Sequence, residues 1–589
     1  MVTGIQIART SVVAVCKKAF SRHPLFTAPA GCSTVASMSQ QIVPLKHQPP
    51  LPMDQLILAE NPEDEAFEMG VVFVGAGPAG LAGAIELARL VQRDNESGGG
   101  IGEVEIAVLE KGEELGHHSL SGAVVNPGPF RELFPQLADE DLPFRRRVDS
   151  EAIYLLSPSK ARKLPTPPTM HNKGNYVASI CEIVKWMGEQ AEALGVNVLP
   201  GFPAASLLVS EQRVVGVRTV PKGLDRDGNR GSNFEPATDV TARVVALCEG
   251  SRGVLSQAYN QWQGIGSANP QIFALGVKEL WETKMPLSNV IHTMGWPLPN
   301  DAFGGSFMYP MEDNLVSLGL VVGMDYCDST LDVHELLQRL KLHPLFRQIL
   351  EGGEMVEWGA KTIPEGGFHS FAERMSGDGL VVLGDAAGFV DVPSLKGIHY
   401  AVQSGMFAAR AIFGALKRGD TSAATLGKYD ELVRRSDIAH DLRKTRNMRL
   451  AFKSGFYSGG LKAGLMTLTG GRFPGGRIAI EEDAAETKRV GQAAPFTPDG
   501  SLTFSKVDAV FRSGNATRDT IPVHLAASAD VPTEVVALYQ HMCPAGVYEQ
   551  IDGKLAINAP NCVDCKATDV IGPRWSPREG GSGPRYRRM

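Results

Sequence analysis

The sequence predicts a mixed fold, α/β in its larger part and α+β elsewhere, and three observations support that prediction. An apolar strand, a glycine-rich turn and an apolar helix follow one another over residues 71–91. A second strand, glycine turn and helix follow one another over residues 380–417. A segment rich in Cys, Pro and Gly begins near residue 541. At about 100–200 residues per domain, the 589 residues have room for several domains.

The composition excludes several classes of protein. Hydrophobic residues make up 43 %, close to the ~45–50 % of globular proteins, so a large core can be buried. The net charge of −7 argues against a nucleic-acid-binding protein. We find no apolar run long enough for a membrane-spanning helix, which needs about 18 residues. The eight cysteines are too few for a secreted disulfide framework.

The N-terminal segment, residues 1–53, contains no Asp or Glu and carries scattered Lys, Arg, Ser and Thr. This composition is typical of a mitochondrial transit peptide. A disordered extension upstream of a start at Met38 explains it equally well. Both interpretations stay open for residues 1–37.

The first motif predicts a dinucleotide-binding βαβ unit. The apolar strand 71–74 is followed by Gly-Ala-Gly-Pro-Ala-Gly and a helix. The glycines permit a tight turn, close approach to a pyrophosphate and close packing of helix on strand. A second strand ends at Glu110, which is placed to bind a ribose hydroxyl. The candidate cofactor-binding residues here are Gly75, Ala76, Gly77, Pro78, Ala79, Gly80, Glu110 and Lys111.

The second motif, Gly384-Asp385-Ala-Ala-Gly388, also follows an apolar strand, and Gly397 precedes the next helix. An Asp at such a junction can accept hydrogen bonds from ribityl hydroxyls, and the start of a helix favours phosphate. The pair of motifs therefore predicts FAD rather than NAD. Residues 247–253 lie between them and indicate a two-part flavin domain.

Outside these motifs the hydrophobic pattern predicts only the approximate positions of helices and strands. We predict a helix at about 180–194, a polar surface loop at 222–236 and a strand at 315–323. Two helices are predicted at 400–417 and 424–450.

The paired glycines Gly304 and Gly305 follow Phe303. Glycines let the backbone approach a flat ring, and their N–H groups can donate to a quinone carbonyl. The alternative is a glycine-rich bend in a strand.

Residues 443–477 are the best candidate for contact with a membrane surface. They carry eight Lys and Arg, no Asp or Glu, and interleaved Leu, Met and Phe. Such a pattern suits an anionic bilayer surface. The alternative is a solvated basic face over a core helix. A second contact is predicted at 112–133, around Leu120 and Phe130.

Three cysteines near the C-terminus are candidate ligands of iron or zinc. Cys562 and Cys565 form a Cys-x-x-Cys motif, and Cys543 precedes a proline. Iron–sulfur clusters are normally held by four thiolates, and only three are available here. Buried cysteines without a metal are the alternative.

The chain from about residue 65 to its end resembles the family of electron-transfer flavoprotein–ubiquinone oxidoreductases. The resemblance implies electron transfer from reduced electron-transfer flavoprotein to ubiquinone, through FAD and a 4Fe-4S cluster. It also implies a monotopic enzyme on the matrix side of the mitochondrial inner membrane or the inner face of a bacterial cytoplasmic membrane. The resembling stretches are 75–80, 120–123, 295–298, 303–307, Tyr309, 365–367, 392–393, 396–397, His399, 404–406, 543–549 and 561–562.

The resemblance assigns roles to further residues and raises one doubt. Ser121 and Gly122 belong to its flavin site, and Gly304 and Gly305 to its quinone site. Thr568 stands where the family has its fourth cysteine. Three alternatives stay open: a cluster with an oxygen ligand from Thr568 or Asp569, a three-iron cluster, and no cluster.

The implied architecture is a two-part FAD-binding domain with an inserted quinone-binding domain and a C-terminal ferredoxin-like iron–sulfur domain. An FAD-dependent monooxygenase or prenyl reductase would share both flavin motifs but has no iron–sulfur domain. A membrane flavoprotein with a degenerate cluster, acting as a binding partner, is the other alternative. The expected bounds are 1–53 extension, 65–260 and 376–440 FAD-binding, 261–375 quinone-binding, 441–480 membrane surface and 481–589 iron–sulfur.

Overall fold

A computed structural model describes residues 41–62, 65–122, 124–312 and 314–589. The predicted transit peptide and the alternative start at Met38 lie outside the described residues. The prediction of a disordered extension as far as residue 53 is wrong for residues 41–53. Ile42 is buried, and the strand Gln41–Ile42 pairs with Lys488–Arg489. The backbone N–H of Leu45 also donates to the carbonyl of Ala484 at 2.8 Å.

A nine-stranded sheet forms the first layer of the fold. Its centre is parallel: Phe67–Val74 lies between Ile106–Glu110 and Asp239–Leu247. The apolar halves of these strands are buried, as expected for a parallel sheet covered on both faces. Seven strands follow one another in the order Asn197–Pro200, Ile106–Glu110, Phe67–Val74, Asp239–Leu247, Arg213–Thr219, Ala204–Ser210 and Ile57–Leu58. The other two form a branch, in which Leu380–Val382 pairs with Asp239–Leu247 and with Ser376–Gly377.

Two long helices, Pro78–Glu96 and Ile398–Arg418, pack against each other beside this sheet. Glycines at the crossing make that packing possible. A Cβ atom on Gly405 would overlap the carbonyl oxygen of Ala79 and approach the backbone nitrogen of Gly83. The close crossing brings the starts of the two helices to one edge of the sheet.

A seven-stranded sheet forms the second layer. All its neighbouring strands are antiparallel except Val290–Gly295 and Glu151–Leu156, which are parallel. Glu151–Leu156 and Ala161–Leu164 precede the segment 247–253 in the chain and the other five strands follow it, so the sheet is assembled from distant parts of the chain. Its order is Glu354–Pro364, Phe273–Glu282, Leu315–Gly323, Gly304–Pro310, Val290–Gly295, Glu151–Leu156 and Ala161–Leu164.

The helix predicted at 180–194 is confirmed as Ile180–Glu192, with Ser179 accepting a hydrogen bond from the Glu182 N–H at its start. The single helix predicted at 424–450 is wrong. The chain forms four short helices there, and Ser436 caps the third of them by accepting from the Ile438 N–H. A serine hydroxyl competes for backbone groups and so favours a helix start over a helix interior.

The surface loop predicted at 222–236 is instead a hairpin, Lys222–Leu224 paired with Arg230–Glu235. Asp225 closes its turn by accepting hydrogen bonds from the N–H groups of Asp227 and Asn229. This hairpin is largely exposed, so its strands consist of polar residues. A pattern of hydrophobic residues therefore does not reveal them.

The C-terminal region contains more regular structure than the sequence predicted. It has two strand pairs, Tyr548–Ile551 with Lys554–Ile557 and Leu525–Ala526 with Arg574–Trp575. The α-helices of the described residues are Met53–Leu56, Pro78–Glu96, Gly128–Leu133, Ile180–Glu192, Val254–Trp262, Val333–Lys341, Pro344–Leu350, Ile398–Arg418, Ala423–Leu426, Lys428–Arg435, Asp437–Thr445, Met448–Ala451, Phe456–Leu468, Lys506–Phe511, Thr533–Met542 and Ala567–Ile571.

Candidate functional site

The turn of residues 75–80 joins the strand Phe67–Val74 to the helix Pro78–Glu96 and contains all six predicted residues. Gly75 has a φ of +111°, and a side chain there would overlap the carbonyl oxygen of Cys248. A Cβ on Gly77 would meet no atom within 4 Å, so the space before the helix is open. Gly77 also provides no side-chain cap, which leaves the first N–H groups of the helix for another acceptor. This cradle fits a pyrophosphate.

Glu110 ends the strand Ile106–Glu110 and lies beside the same turn. One carboxylate oxygen accepts from the Ala76 N–H at 3.1 Å and the other from the Gly112 N–H at 2.8 Å. Each oxygen can still accept from a ribose hydroxyl, because a carboxylate oxygen has more than one acceptor site.

The second motif lies next to the first. Gly384 begins a tight 3₁₀ turn, and a Cβ there would lie 3.0 Å from the Cβ of Ala79. Gly397 directly precedes the helix Ile398–Arg418. Burial raises the pKa of Asp385 to about 6, and the positive charge of Lys361 opposes that rise. The structure therefore brings together two motifs that are about 300 residues apart.

Ser121 and Gly122 lie on a loop against the seven-stranded sheet. The carbonyl oxygen of Ser121 accepts from the ammonium of Lys278 at 3.1 Å. A Cβ on Gly122 would meet no atom within 4 Å.

The paired glycines Gly304 and Gly305 begin the strand Gly304–Pro310 and pair with Val322 and Val321. A Cβ on Gly305 would lie 2.6 Å from the carbonyl oxygen of Thr293. A Cβ on Gly304 would overlap the carbonyl oxygen of Val321. Strand packing is therefore sufficient reason for both glycines.

The prediction that Arg449 faces a membrane is wrong. Its guanidinium is buried, pairs with Asp325 at 2.8 Å and with Glu365 at 2.5 Å, and lies over the ring of Phe303. Lys453 likewise pairs with Asp325 and Glu486. Two of the eight cations therefore neutralise acidic residues inside the protein.

The helix Phe456–Leu468 presents the most exposed apolar surface in the 443–477 segment. Tyr457 is 76 %, Leu461 69 % and Leu468 84 % exposed, and Phe473 beyond the helix is 60 % exposed. None of the helices in the described residues is long and apolar enough to cross a membrane. The predicted second contact is wrong for Phe130, which is fully buried against Phe144.

The three candidate cysteine ligands are brought together in a buried site. Cys543, Cys562 and Cys565 are each less than 10 % exposed. Burial raises the pKa of the Cys562 thiol to about 12. Burial also raises the pKa of Cys565, and the nearby thiols of Cys543 and Cys562 raise it further. Three grouped thiols shielded from water fit an iron–sulfur cluster.

No thiol is present at the fourth ligand position, where the sequence has Thr568. The Thr568 hydroxyl lies 2.5 Å from the Tyr548 hydroxyl and 3.0 Å from the Pro573 carbonyl oxygen, to which it donates. Asp569 is turned away into ion pairs with Arg252 at 3.1 Å and Arg574 at 3.5 Å. Asp569 is therefore not placed to replace the missing thiolate.

A buried carboxylate that sequence reasoning missed lies within the Cys-x-x-Cys loop. Asp564 accepts from Lys111 at 2.8 Å, from Arg578 at 3.0 Å and from the Trp575 ring N–H at 3.0 Å. Its ligand atoms lie within 4.8 Å of those of His524 and Cys562, although its ion pairs occupy the carboxylate. No local pattern predicts the pair with Lys111, which comes from a segment 453 positions away.

Two family models match the chain. One describes the ubiquinone-binding domain of electron transfer flavoprotein–ubiquinone oxidoreductases and matches residues 273–363. The other describes the 4Fe-4S domain of the same enzymes and matches residues 500–587.

Curated relatives are similar over most of the chain. The mitochondrial electron transfer flavoprotein–ubiquinone oxidoreductase of Oryza sativa is 39 % identical and covers 89 % of this chain and 93 % of its own length. The enzyme of Pseudomonas aeruginosa is 37 % identical, covering 90 % of this chain and 100 % of its own. The mitochondrial human enzyme is 36 % identical, covering 90 % of each.

A solved structure shares the fold of the larger part. A geranylgeranyl bacteriochlorophyll reductase-like protein from Thermoplasma acidophilum aligns with a TM-score of 0.51 at 19 % identity. The alignment covers 69 % of this chain and 97 % of that protein.

Proposed function

Because the chain belongs to the electron transfer flavoprotein–ubiquinone oxidoreductase family, we propose that it passes electrons from reduced electron transfer flavoprotein to ubiquinone. FAD and an iron–sulfur cluster are its cofactors. One observation supports this proposal above all others. The loop that carries two of the three thiols is joined to the dinucleotide strand through Lys111 and Asp564.

The flavin would be held by residues 75–80, Glu110, Lys111, Ser121, Gly122, Gly384, Asp385 and Gly397. The open space at Gly77 and the free N–H groups of the helix start would receive the pyrophosphate. Glu110 would accept from a ribose hydroxyl while it holds the turn through Ala76.

The bound cofactors supply the redox chemistry, and the protein positions them and tunes their potentials. Cys543, Cys562 and Cys565 would hold the cluster in a site that is closed to water. Gly304 and Gly305 would lie at the quinone. Arg449 joins Phe303, which precedes these glycines, to Glu365: its guanidinium lies over the Phe303 ring and pairs with the Glu365 carboxylate.

The exposed apolar helix Phe456–Leu468 would rest on a membrane surface without crossing it. Tyr457, Leu461 and Leu468 would enter the interface, and Lys462 with the neighbouring arginines would meet anionic headgroups. The location that follows is the matrix side of the mitochondrial inner membrane or the inner face of a bacterial cytoplasmic membrane.

A flavin monooxygenase or a prenyl reductase remains the alternative for the part that shares the fold of the Thermoplasma protein. The matched 4Fe-4S family over residues 500–587 argues against that alternative, because such enzymes have no iron–sulfur domain.

An anaerobic assay tests the proposed reaction. Enzyme with measured FAD and iron is mixed with chemically reduced electron transfer flavoprotein and a short-tailed ubiquinone, and quinone reduction is followed. We expect quinone reduction that requires both the enzyme and reduced electron transfer flavoprotein. Enzyme that carries FAD and iron but does not oxidise electron transfer flavoprotein would refute the proposal.

A further inference from the structure

Lys361 is a partly buried cation that the flavin and cysteine motifs do not account for. It lies in the strand Glu354–Pro364 at the edge of the seven-stranded sheet. Its ammonium donates to the carbonyl oxygens of Asp564 at 3.3 Å and His118 at 3.5 Å. Asp564 lies between Cys562 and Cys565 in the sequence, so the ammonium touches the backbone of the ligand loop.

The next residue connects this strand to both cofactor sites. The backbone N–H of Thr362 donates to the Cys565 carbonyl at 2.8 Å. The Thr362 hydroxyl lies 3.1 Å from the hydroxyl of Ser251, which belongs to the flavin segment 247–253. This stretch of strand therefore lies between the cysteine loop and the flavin segment and contacts both. The charge of Lys361 acts on groups on either side, because it opposes the raised pKa of Asp385 and of Cys565.

Most other cations near the cysteines are neutralised directly. Lys111 and Arg578 pair with Asp564, and Arg252 and Arg574 pair with Asp569. Lys566 lies over the Trp575 ring. None of the ion pairs found among the described residues includes Lys361, whose ammonium donates to the two carbonyl oxygens and feels the charges of Asp564 and Glu110 only from a distance.

An ammonium that is partly removed from water and has no directly paired carboxylate is destabilised unless a nearby negative charge balances it. Bound cofactors would add to that balance, because the flavin would bring phosphates and a cluster would become more negative on reduction. We propose that Lys361 is a redox-tuning residue whose positive charge stabilises the reduced iron–sulfur cluster and so raises the midpoint potential of that cluster. The step concerned is the uptake of one electron by the cluster, with no bond made or broken. The proposal rests on the proposed function, since that reaction supplies the electron.

Lys278 offers a matched control. It lies on the same face of the same sheet, one strand away, is more deeply buried than Lys361, and donates to a single carbonyl oxygen, that of Ser121. Burial lowers the pKa of both lysines to about 8. The charges that act on Lys278 are those of Cys181, Glu357 and Arg145, and the cluster ligands are absent from that set.

The experiment is an anaerobic redox titration followed by the EPR signal of the reduced cluster, on wild type, Lys361→Met, Lys361→Arg and Lys278→Met. Iron and FAD contents are measured on each protein. We expect Lys361→Met to lower the cluster potential, by up to a tenfold change in the one-electron equilibrium constant, which corresponds to about 59 mV. Lys361→Arg should stay near wild type, and so should Lys278→Met. If Lys361→Met does not retain iron, Lys361→Gln removes the charge while keeping a hydrogen-bond donor.

An unchanged potential in both uncharged variants would overturn the proposal, and so would an equal fall in Lys278→Met. Loss of iron in both uncharged variants with full retention in Lys361→Arg would also overturn it, because the charge would then be needed for assembly. Failure of the proposed function would look different, since the potential would still shift while electron transfer flavoprotein failed to reduce any of the proteins.

Discussion

Lys111 and Asp564 form an ion pair of 2.8 Å between residues that are 453 positions apart in the chain. Lys111 directly follows Glu110, the proposed acceptor of a ribose hydroxyl, and Asp564 lies between Cys562 and Cys565 in the sequence. Arg578, which follows Asp564 in the C-terminal segment, pairs with the same carboxylate at 3.0 Å. The pair therefore holds the cysteine loop against the end of the strand Ile106–Glu110, and so joins the two proposed cofactor sites.

Replacing Asp564 by Asn should destabilise the fold and loosen the cluster. The change leaves Arg578 buried without its partner, and breaking a buried pair costs about 3–5 kcal/mol. Because Lys111 is partly exposed, we expect a loss near the lower end, about 3 kcal/mol, measured by urea unfolding. Glu431→Gln, which breaks pairs with Lys428 and Arg435 that are exposed to solvent, should change the stability far less. Equal losses in the two variants would contradict this role of Asp564.

Replacing Gly77 by Val should abolish FAD binding without unfolding the protein. A Cβ at Gly77 meets no protein atom, and its φ of −77° is accessible to any residue, so only the ligand is obstructed. FAD content and thermal unfolding of the purified variant measure the two effects. Gly414→Ala is the control, because its Cβ also meets no atom but lies in the interior of a helix. A Gly77→Val protein with full flavin content would show that the site is misassigned.

Replacing Leu461 and Leu468 by Ser should release the protein from vesicles. Both side chains are largely exposed and would lose burial worth about 25 cal/mol per Å² of apolar surface. Cosedimentation with neutral and anionic vesicles at several salt concentrations measures the effect. Wild-type binding should weaken with salt, and reversing the charges of Arg446 and Lys462 should remove that dependence.

Met285→Ser provides the control for membrane binding, because Met285 is 67 % exposed but belongs to another part of the chain. Binding that survives loss of both leucines, or that is equally strong on neutral vesicles at any salt, would disprove the membrane surface. Arg449 is left out of this test, since reversing its charge would break buried ion pairs.

Replacing Thr568 by Cys should stabilise the cluster and raise quinone reductase activity. In wild type the Thr568 hydroxyl is engaged with Tyr548 and Pro573, and an alcohol is a poor ligand beside thiolates. We therefore expect a wild-type cluster that is labile to oxygen or isolated with three irons. Iron and sulfide analysis, the EPR spectrum and the rate of bleaching in air measure the difference. Thr568→Ser should behave like wild type.

One outcome would remove the cluster from this protein. If anaerobically purified wild type contains no iron and Thr568→Cys restores none, the C-terminal domain is a structural remnant.

Asp483 should make the protein less stable as the pH rises. Burial raises its pKa to about 7, with a contribution from the negative charge of Asp325, although Lys488, Arg449 and the N–H of Phe273 favour the charged form. Because the folded pKa exceeds the unfolded value of about 3.9, the contribution to stability is complete below about pH 4 and is lost by about pH 7.

The variant Asp483→Asn checks that sign. It should gain stability relative to wild type between pH 5 and pH 8 in urea unfolding, because it carries no charge at either pH. A stability difference that stays constant with pH would mean that Asp483 is ionised throughout.

The sequence alone determined the parts that rest on local chemistry. A strand, a glycine turn and a helix are neighbours in the chain, so residues 71–96 could be predicted from apolar runs and from the conformational freedom of glycine. The same holds for the acidic end of the strand at Glu110 and for the spacing of Cys562 and Cys565. These features need only a few consecutive residues to form.

Tertiary structure decided everything that depends on burial and distant partners. Arg449 has the local sequence of a surface cation, yet Asp325 and Glu365 lie beside it only because three separate segments pack together. Asp569 was an acceptable ligand by spacing, and the arginines at 252 and 574 turn it away from the thiols. Lys361 lies between the two proposed cofactor sites because of how the strands of the sheet pair, and the sequence does not show that pairing. A charge in a dry interior is governed by its neighbours in space, and a linear pattern does not contain them.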